Sequence, residues 1–299
     1  MDPCVITCAL SGVAASREQC PGIPYTPEEY AAESRRAFEA GASVVHVHAR
    51  YPDGQPSYRV EEYAAITEAI LAETPELIVN YSTGAVGVPM EERVHHVTAL
   101  KPEFGALNMG SMNYAKYSSK RKALIFDLVF ANPFSDITFL LEKMNSVDVK
   151  PECECFDTGH IGNVLPLVDM GLIEPPIQFS LILGVLGGAP ADARTLTHMA
   201  SLLPERSTWE VIAISRKQWE MVAAAVSLGG NARVGLEDNF YLPSGEMAAS
   251  NGDLVGAAAR LVELSGRKVA STSEARAVLS LPDPPDRSGL ENFSKEASV

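Results

Sequence analysis

Short apolar segments alternate with amphipathic ones along the chain. The first apolar segment, residues 4–10, ends at a Ser-Gly pair, as expected of a buried strand followed by a turn. A helix is predicted to begin after Thr26, because threonine suits the N-cap, Pro27 suits the first helical position and two glutamates follow in the first turn. Gly41 is suited to end this helix as a C-cap. Together these signals predict one strand-and-helix unit.

The same unit then recurs along the chain. Predicted strands lie at residues 43–47, 77–81, 104–108, 150–156, 177–183, 208–214 and 232–236, and predicted helices at residues 60–73, 90–100, 136–145, 161–170, 192–202, 217–228 and 252–264. Eight units predict an α/β fold, a closed (β/α)8 TIM barrel forming one catalytic domain over residues 1–299, with residues from about 282 onward as an exposed tail. An open, doubly wound parallel sheet is the alternative, because the number of units alone does not exclude it.

Charge and composition narrow the possible partners. The chain carries 38 acidic and 24 basic residues, a net charge of −14, so we expect no binding to nucleic acid or to anionic membranes. No apolar run reaches the roughly 18 residues that a membrane span needs. The five cysteines are odd in number and no secretory leader precedes them, which favours a reduced, cytoplasmic protein.

The first candidate chemistry is His46-Val47-His48, which closes the second predicted strand. In a parallel barrel, functional side chains gather at the carboxyl ends of the strands. Side chains two apart on a strand share a face, with Cα atoms roughly 6.5 Å apart, so both imidazoles can point into the barrel mouth and bind one metal ion. Neutral imidazoles favour zinc, and a third, oxygen ligand would leave positions open for catalysis. Two polar residues hydrogen-bonded to their neighbours are the alternative.

The third ligand is predicted after the eighth strand, where the chain reads Gly-Leu-Glu-Asp-Asn. Two acids and an amide are costly to bury there unless they have a function. We therefore predict that Glu237 completes the metal site and that Asp238 is the neighbouring acid–base group. Arg233, five residues before Asp238, could pair with it and keep it ionised. An acidic loop at the end of the strand would explain the same residues without chemistry.

Other strand ends carry candidate substrate-binding groups. Ser82 and Thr83 offer hydroxyl groups after the third strand, and the turn beyond Gly84 exposes amides that could hold a carboxylate or an oxyanion. Asn108 closes the fourth strand and could orient a substrate. Glu154, one of two glutamates that share a face of the fifth strand, would be a proton-transfer candidate if buried. Ordinary turns, backbone-satisfying amides and contacts with basic side chains are the alternatives.

Taken together, these segments resemble the β-keto acid cleavage enzyme family. The similar segments are residues 41–50, which contain His-Val-His-Ala-Arg, residues 81–84, residues 107–110, and residues 229–239, which end in Gly-Leu-Glu-Asp-Asn. The resemblance extends from the first strand to about residue 279. The His-x-His-x-Arg and Gly-Leu-Glu-Asp-Asn motifs are specific as a pair.

The resemblance implies an acyltransferase that condenses a β-keto acid with acetyl-CoA and releases acetoacetate and a new acyl-CoA by Claisen and retro-Claisen steps. It also implies a barrel fold, one Zn2+ per subunit and a homo-oligomer, often a homotetramer. Because acetyl-CoA is anionic and this chain is acidic, such an enzyme needs a local basic patch, whose position the sequence leaves open. The residues that the resemblance assigns are His46, His48 and Glu237 for the metal, Asp238, Arg233 and Glu154 for acid–base chemistry, and Ser82 for the substrate carboxylate.

Two positions depart from the family's amine-accepting pattern. Where that pattern has a glutamate that recognises an amino group of the substrate, this chain has Ala14, and where it has a threonine near the end of the fourth strand, this chain has Ala106. Alanine cannot neutralise an ammonium group. We therefore expect a substrate with a neutral or apolar tail rather than a primary amine.

Two other functions fit parts of the sequence. A zinc-dependent barrel hydrolase of the amidohydrolase kind also combines His-x-His with a late aspartate, but it carries the histidine pair on its first strand and further histidines after later strands. Here His160 is the one candidate for such a later histidine. A non-enzymatic sensor of a metal-chelated keto acid is the other possibility, and the presence of both Asp238 and Arg233 disfavours it.

Overall fold

Within residues 2–287 and 289–295, the computed structural model contains ten β-strands, eight of which form one closed parallel barrel. The strands are β1 (Ile6–Ala9), β2 (Val44–Val47), β3 (Ile78–Ser82), β4 (Phe104–Asn108), β5 (Met112–Ser118), β6 (Ala123–Phe130), β7 (Lys150–Cys155), β8 (Ile177–Leu183), β9 (Ser207–Ala213) and β10 (Asn231–Val234). The order around the barrel is β1-β10-β9-β8-β7-β4-β3-β2, and β1 closes it by pairing with both β2 and β10. The predicted (β/α)8 barrel is confirmed, and an open sheet is excluded.

Helices alternate with the barrel strands. They are α1 (Pro27–Glu39), α2 (Val60–Glu73), α3 (Met90–Leu100), α4 (Phe134–Asn145), α5 (Thr158–Asp169), α6 (Ala193–Ser201), α7 (Gln218–Ser227), α8 (Asn251–Leu264), α9 (Thr272–Val278) and α10 (Leu290–Ser294). Thr26 caps α1 as predicted, since its hydroxyl accepts from the Glu29 amide and the Glu29 carboxylate accepts from the Thr26 amide. Helix α5 begins three residues earlier than predicted, because Asp157 caps it by accepting from the Gly159 amide.

An antiparallel hairpin that the sequence analysis did not predict interrupts the alternation between β4 and α4. Its strands, β5 and β6, pair with each other and take no part in the barrel. Large apolar side chains on it stay exposed, such as Ile125 at 46% and Val129 at 64%. The ribbon lacks the buried face that gives an ordinary strand its alternation of apolar and polar residues, so the pattern did not identify it.

The interior of the barrel is polar, whereas the layer between the barrel and its helices is apolar. Alternate strand residues such as Val45 and Val79 belong to the main hydrophobic core. Buried polar side chains bond to one another between the strands inside the barrel, and they include Thr7, Asn80, Glu152, Ser180 and Glu210. Burying carboxyl groups is costly without partners, so these residues depart from ordinary core packing.

The C-terminal segment differs in part from the predicted exposed tail. Most of its described side chains are exposed, but Leu290 is buried in α10, which packs against α2. Arg287 binds the carboxylate of buried Glu103, just before β4. Arg276 binds the same carboxylate, so this ion-pair cluster anchors the tail to the barrel. Residues 296–299 of the predicted tail lie outside the described residues.

The five cysteines are buried and unpaired in the structure. Burial raises the pKa of the Cys4 thiol to about 11 and that of the Cys20 thiol above its usual value. Buried, protonated thiols are poor nucleophiles, so the cysteines are packing residues here. Among the helices of residues 2–287 and 289–295, none has the length and apolarity of a membrane span.

His96, on α3, joins the helix layer to the end of β3. Its ring stacks on Tyr63 with the centroids 3.9 Å apart, and its Nε2 lies 2.9 Å from the Ser82 carbonyl oxygen. Burial lowers the pKa of His96 to about 3, while the Ser82 carbonyl opposes this shift and His48 and His95 add to it. The folded protein therefore keeps this imidazole neutral well below the pH at which a free histidine is protonated.

We expect the His96→Phe variant to lose less stability on acidification than the wild type. Because the pKa is lower in the folded state than the usual 6.5 or so, the unfolded state binds the proton more readily, and the contribution of His96 to stability is lost as the pH falls from about 6.5 towards 3. Between pH 7 and pH 5 this loss is about 2 kcal/mol, and phenylalanine removes it.

The measurement is the free energy of unfolding in urea at both pH values. His95→Phe, at the exposed neighbouring position, is the matched control and should follow the wild type. Equal pH dependence in all three proteins would contradict the assignment.

Candidate active site

The three predicted metal ligands lie together at the carboxyl ends of two barrel strands. His46 Nε2 lies 3.9 Å and His48 Nε2 lies 3.5 Å from Glu237 Oε1. The two imidazole rings meet edge to face, with centroids 5.1 Å apart. One ligand atom from each of these residues falls within 4.8 Å of the others, which is close enough for a single metal ion to contact all three.

Local backbone structure explains how the cluster assembles. His46 lies on β2 and His48 directly follows it, so both side chains take the barrel face. Glu237 follows β10, across β1 from β2. Gly12, in the loop after β1, packs against the Glu237 side chain and has a φ of +55°. A β-carbon at that glycine would lie 2.6 Å from Glu237 Cγ, so glycine is required both by the backbone conformation and by the close approach.

Arg233, on β10, is the cation shared by the acids of the site. Its Nη2 donates to Glu237 Oε1 at 2.7 Å, and its Nε donates to Asp238 Oδ2 at 3.0 Å. Its Nη1 lies 3.7 Å from Glu154 Oε1. The structure thus brings together the arginine–aspartate pair expected from the sequence and adds two further acids to it.

Neighbouring acids that share this cation have different proton affinities. Burial alone would raise the pKa of Glu237, but Arg233 and then the two imidazoles outweigh it and hold that pKa well below its usual range. Burial prevails at Asp238, despite Arg233, and raises its pKa to about 6. Burial and then the neighbouring Glu152 raise the pKa of Glu154 to about 8. At neutral pH the site therefore holds an ionised ligand candidate, an ionised group of raised basicity and a protonated acid.

Several polar atoms of the cluster are buried and have no hydrogen-bond partner within the described residues, namely His46 Nδ1, Arg233 Nη1 and Glu237 Oε2. Such atoms are rare in folded proteins, because each has lost its water without gaining a partner. Their concentration here indicates a site shaped for polar ligands. The unpartnered Glu237 oxygen beside two imidazoles fits a cation.

Three of the four predicted substrate-binding residues surround one spot at the ends of β3 and β4. The Gly84 amide donates to Ser82 Oγ at 3.0 Å. A β-carbon at Gly84 would lie 3.5 Å from Asn108 Nδ2, so the Asn108 amide also reaches this turn. Thr83 differs, because its buried hydroxyl donates to the Ala106 carbonyl at 2.6 Å. Only its main chain is available for a substrate.

Tyr114, on the unpredicted hairpin, is a site residue that sequence reasoning missed. Its pKa is raised by burial and then by Glu237, Asp238 and Glu154, so its phenol lies within electrostatic reach of the acids. It packs edge to face against Phe130 and Phe156 at centroid distances of 5.9 and 6.3 Å. The base of the hairpin therefore gives the barrel mouth an aromatic wall. No sequence motif marks this wall.

The glycine-rich stretch at residues 184–188 supports the hairpin. Gly187 has a φ of +110°, and a β-carbon there would lie 1.8 Å from the Asn113 carbonyl oxygen. The glycine is required because the backbone of β5 occupies the space of a side chain. Packing against β5 thus explains this glycine.

A separate cavity of about 670 Å³ lies at the amino end of the barrel, lined by Ser43, Ser271 and Arg276 among others. The group of histidines and acids lies at the opposite end. Chemistry rather than cavity size therefore places the candidate site at the mouth.

Enzymes with this fold carry out catalysis at the carboxyl end of the barrel, and the acid–imidazole cluster lies there, so fold and site together define a barrel enzyme. Comparison with known families makes this specific, because the model of the family described as "BKACE: beta-keto acid cleavage enzyme" matches residues 3–281. The chain belongs to the β-keto acid cleavage enzyme family, as the sequence motifs predicted.

Individual relatives agree with this assignment. The 3-keto-5-aminohexanoate cleavage enzyme of Acetoanaerobium sticklandii is 39% identical over 94% of this chain and 99% of that one. The 3-dehydrocarnitine:acetyl-CoA trimethylamine transferase of Rhizobium meliloti is 34% identical over 92% of this chain and 96% of that one. The apo structure of ObcA has a TM-score of 0.70 over 87% of this chain and 66% of that chain, at 19% identity, which supports the fold alone. These comparisons give no support to the hydrolase alternative.

We expect Arg233→Met to destabilise the metal-free protein by about 3–5 kcal/mol, because it leaves the ionised carboxylates of Glu237 and Asp238 without the cation that they share. Urea unfolding in the presence of a chelator measures this loss. Arg35→Met removes an arginine whose side chain is 57% exposed and whose partners are also on the surface, so it should cost less than about 1 kcal/mol. Similar losses of unfolding free energy in the two variants would show that Arg233 does not compensate the negative charge of the site.

Proposed function

We propose that the protein condenses a β-keto acid with acetyl-CoA and releases acetoacetate and a new acyl-CoA. The observation that carries this proposal is the placement of the His46–His48–Glu237 cluster beside the Asp238–Arg233 pair at one barrel mouth, in a member of this family. The name of the R. meliloti relative describes a transferase that uses acetyl-CoA, which supports the same co-substrate here.

The cluster would hold the Zn2+ that this reaction needs. Two imidazole nitrogens and a carboxylate oxygen suit zinc and leave coordination positions open. His46 Nε2 and Glu237 Oε1 are 3.9 Å apart, which is too far for a direct hydrogen bond, and Glu237 Oε2 is buried with no partner among the described residues. A shared cation would bind His46 Nε2 and the two oxygens of the Glu237 carboxylate. When bound, zinc would supply Lewis-acid polarisation of the substrate ketone.

Asp238 is the group that would take a proton from the substrate carbon between the ketone and the carboxylate. With a pKa of about 6, it is ionised at neutral pH and still basic enough to accept a proton. Arg233 fixes its direction, donating from Nε to Oδ2 at 3.0 Å and from Nη2 to Oδ1 at 3.2 Å. The carboxylate is therefore already oriented, and no orientational entropy is lost when the substrate binds.

The remaining steps conserve atoms and charge. The substrate carbanion attacks the thioester carbon of acetyl-CoA and expels the CoA thiolate. The thiolate attacks the original ketone carbon, the bond from that carbon to the former methylene carbon breaks, and the new acyl-CoA leaves. Asp238 then returns its proton to the carbanion, which departs as acetoacetate. Ser82, Asn108 and the turn at Gly84 would hold the carboxylate throughout, and Glu154 would keep a second proton close by.

The substrate tail would face the aromatic wall of the mouth. Tyr114, Phe130 and Phe156 pack edge to face against one another in this wall, and Ala14, in the loop after β1, offers no charge to an ammonium group. We therefore propose a substrate with a neutral or apolar tail. The A. sticklandii relative, by its name, acts on an amino-substituted keto acid, so a difference between the two proteins at the tail is expected.

Acetoacetate formation from acetyl-CoA across a panel of β-keto acids tests the proposal. The panel includes neutral, apolar, anionic, primary amine and quaternary ammonium tails, each with and without a metal chelator. We expect activity that needs acetyl-CoA and is abolished by the chelator, greatest for a neutral or apolar tail. Hydrolysis of any member without CoA would favour the hydrolase instead.

Two variants separate the roles of metal and base in the same assay. Asp238→Asn should retain zinc and lose turnover by roughly 10²–10⁴-fold, because the proton acceptor is gone. His46→Ala should lose zinc as well as activity. Zinc loss in Asp238→Asn, or full zinc content in His46→Ala, would reverse the assignment of base and ligand.

The hairpin turn supplies a concentrated basic patch of the kind that an acidic CoA enzyme needs. The turn carries Lys120, Arg121 and Lys122, and Lys116 lies on the adjoining strand β5. The ribbon rises roughly 20 Å from Tyr114, beside the acids, to Lys120, as judged from the rise per residue of a strand. The pantetheine arm of CoA has a comparable reach, so we propose that the turn binds the phosphate groups while the thioester reaches the mouth.

Neutralising the turn with Lys120→Gln, Arg121→Gln and Lys122→Gln should raise the KM for acetyl-CoA roughly tenfold, the loss of a few exposed charge contacts. The KM for acetyl-pantetheine, which lacks the phosphate groups, is the matched control and should not change. A glutamine triple change at Arg35, Arg59 and Lys217, which are exposed on other elements, controls for net charge. Equal effects on both thioesters would place the CoA phosphates elsewhere.

A further inference from the structure

Two further buried acids, which the proposed chemistry does not use, lie inside the barrel. Glu152 on β7 and Glu210 on β9 are each 2% exposed. The Ser180 hydroxyl lies between them, donating to Glu152 Oε1 and lying 3.3 Å from Glu210 Oε1. Thr7 donates to the other oxygen of Glu210 at 2.6 Å. Groups buried at this cost call for a structural or functional reason.

Glu152 is connected to the candidate metal site through Asn80. The Asn80 side-chain Nδ2 donates to Glu152 Oε2 across the barrel interior, from β3 to β7. An amide presents its nitrogen and its oxygen in opposite directions, so a carboxylate that binds the nitrogen also determines where the oxygen points. Here Asn80 Oδ1 is buried and has no hydrogen-bond partner of normal geometry within the described residues.

The neighbouring His46 has a buried ring nitrogen that could complement the unpartnered Asn80 oxygen. His46 and Asn80 stand opposite each other in the parallel β2–β3 register, so their side chains share the barrel face. His46 Nδ1 is also buried without a partner of normal geometry, and the Asn80 side chain is close enough to act on the imidazole as a hydrogen-bonding group. Pairing a donor at Nδ1 with the acceptor at Oδ1 would satisfy both atoms.

We propose that Asn80, oriented by Glu152, is a positioning residue that holds His46 in the tautomer with its proton on Nδ1. The bonds then run in one direction, with the imidazole Nδ1–H donating to the Asn80 carbonyl and the Asn80 amide donating to the Glu152 carboxylate. A neutral imidazole has one ring proton, so this arrangement leaves the Nε2 lone pair free. Nε2 is the atom that faces Glu237.

The inference rests on the proposed function only for its purpose, which is to present Nε2 to a metal ion. Hydrogen bonds from the second nitrogen of a ligand histidine commonly fix its tautomer and strengthen the site. The present case adds an amide between imidazole and carboxylate, so the carboxylate acts at a distance by selecting the amide orientation. Glu210 contacts Glu152 and the Ser180 hydroxyl but is not bonded to Asn80, so only Glu152 is predicted to set the orientation of the Asn80 amide.

The decisive measurement is the tautomer of His46 in the metal-free protein, read from long-range 1H–15N correlations of 15N-histidine-labelled samples at neutral pH. The chain has six histidines, so the spectrum is tractable, and His46→Ala assigns the His46 signals. We expect the Nδ1–H tautomer in the wild type. An Nε2–H tautomer there would overturn the proposal without any variant.

Glu152→Gln is the informative variant, because a glutamine side chain can bind Asn80 in either orientation. We expect it to shift His46 towards the Nε2–H tautomer and to weaken Zn2+ binding by roughly 10–100-fold, the usual effect of losing such a partner. Glu210→Gln is the matched control: it changes the other buried acid in the same way and should leave the tautomer unchanged. Asn80→Ala provides a second route if Glu152→Gln does not fold, and should also release the tautomer.

Titration with Zn2+ alone separates this inference from the proposed reaction. The inference is supported if His46 has the Nδ1–H tautomer in the wild type and the tautomer shifts in Glu152→Gln or Asn80→Ala. This holds even if no β-keto acid in the panel is cleaved. An unchanged tautomer and unchanged zinc affinity in both variants would refute it, even if the reaction is found as proposed. Equal shifts in Glu152→Gln and Glu210→Gln would also refute it, because they would indicate general loosening of the barrel.

Discussion

The charge balance around Arg233 is the constraint on which the rest of the site depends. Glu237 and Asp238 bind this one guanidinium directly and Glu154 lies 3.7 Å from it, all inside a barrel where an unpaired charge is costly. Burial raises the pKa of Asp238 although Asp238 binds Arg233, whereas Arg233 and the imidazoles hold the pKa of Glu237 low. The acid of lowest pKa therefore faces the imidazoles, and a more basic one lies beside it. The different proton affinities of these two acids thus follow from geometry and burial.

Residues on barrel strands were predictable from the sequence because a strand end fixes both position and direction. His46 and His48 could be placed on one face from their spacing, and Glu237 and Asp238 could be placed at the mouth from their position just after β10. The partner of Thr83 could not be predicted, because a hydroxyl in a turn can bond to the substrate or to the backbone and the sequence is the same in both cases. The direction of the strand was readable from the sequence, whereas the choice of hydrogen-bond partner was not.

The hairpin was missed for a different physical reason. Periodic patterns arise when one face of an element is buried, and β5 and β6 lie outside the barrel with exposed apolar side chains. Their contribution to the mouth, through Tyr114, depends on a contact far away in sequence, where Gly187 makes room for the backbone at Asn113. Long-range contacts of this kind leave no periodic trace in either segment.

These two kinds of element divide the site into parts that can change independently. The charge network sits on barrel strands, where a substitution disturbs a buried ion pair and is strongly destabilising. The aromatic wall and the loop carrying Ala14 lie on connections, where a substitution alters the pocket and leaves the charge balance intact. A family with one core chemistry and several substrate tails is expected from this division, because the fold restricts the acids, the arginine and the imidazoles far more than the groups proposed to meet the tail.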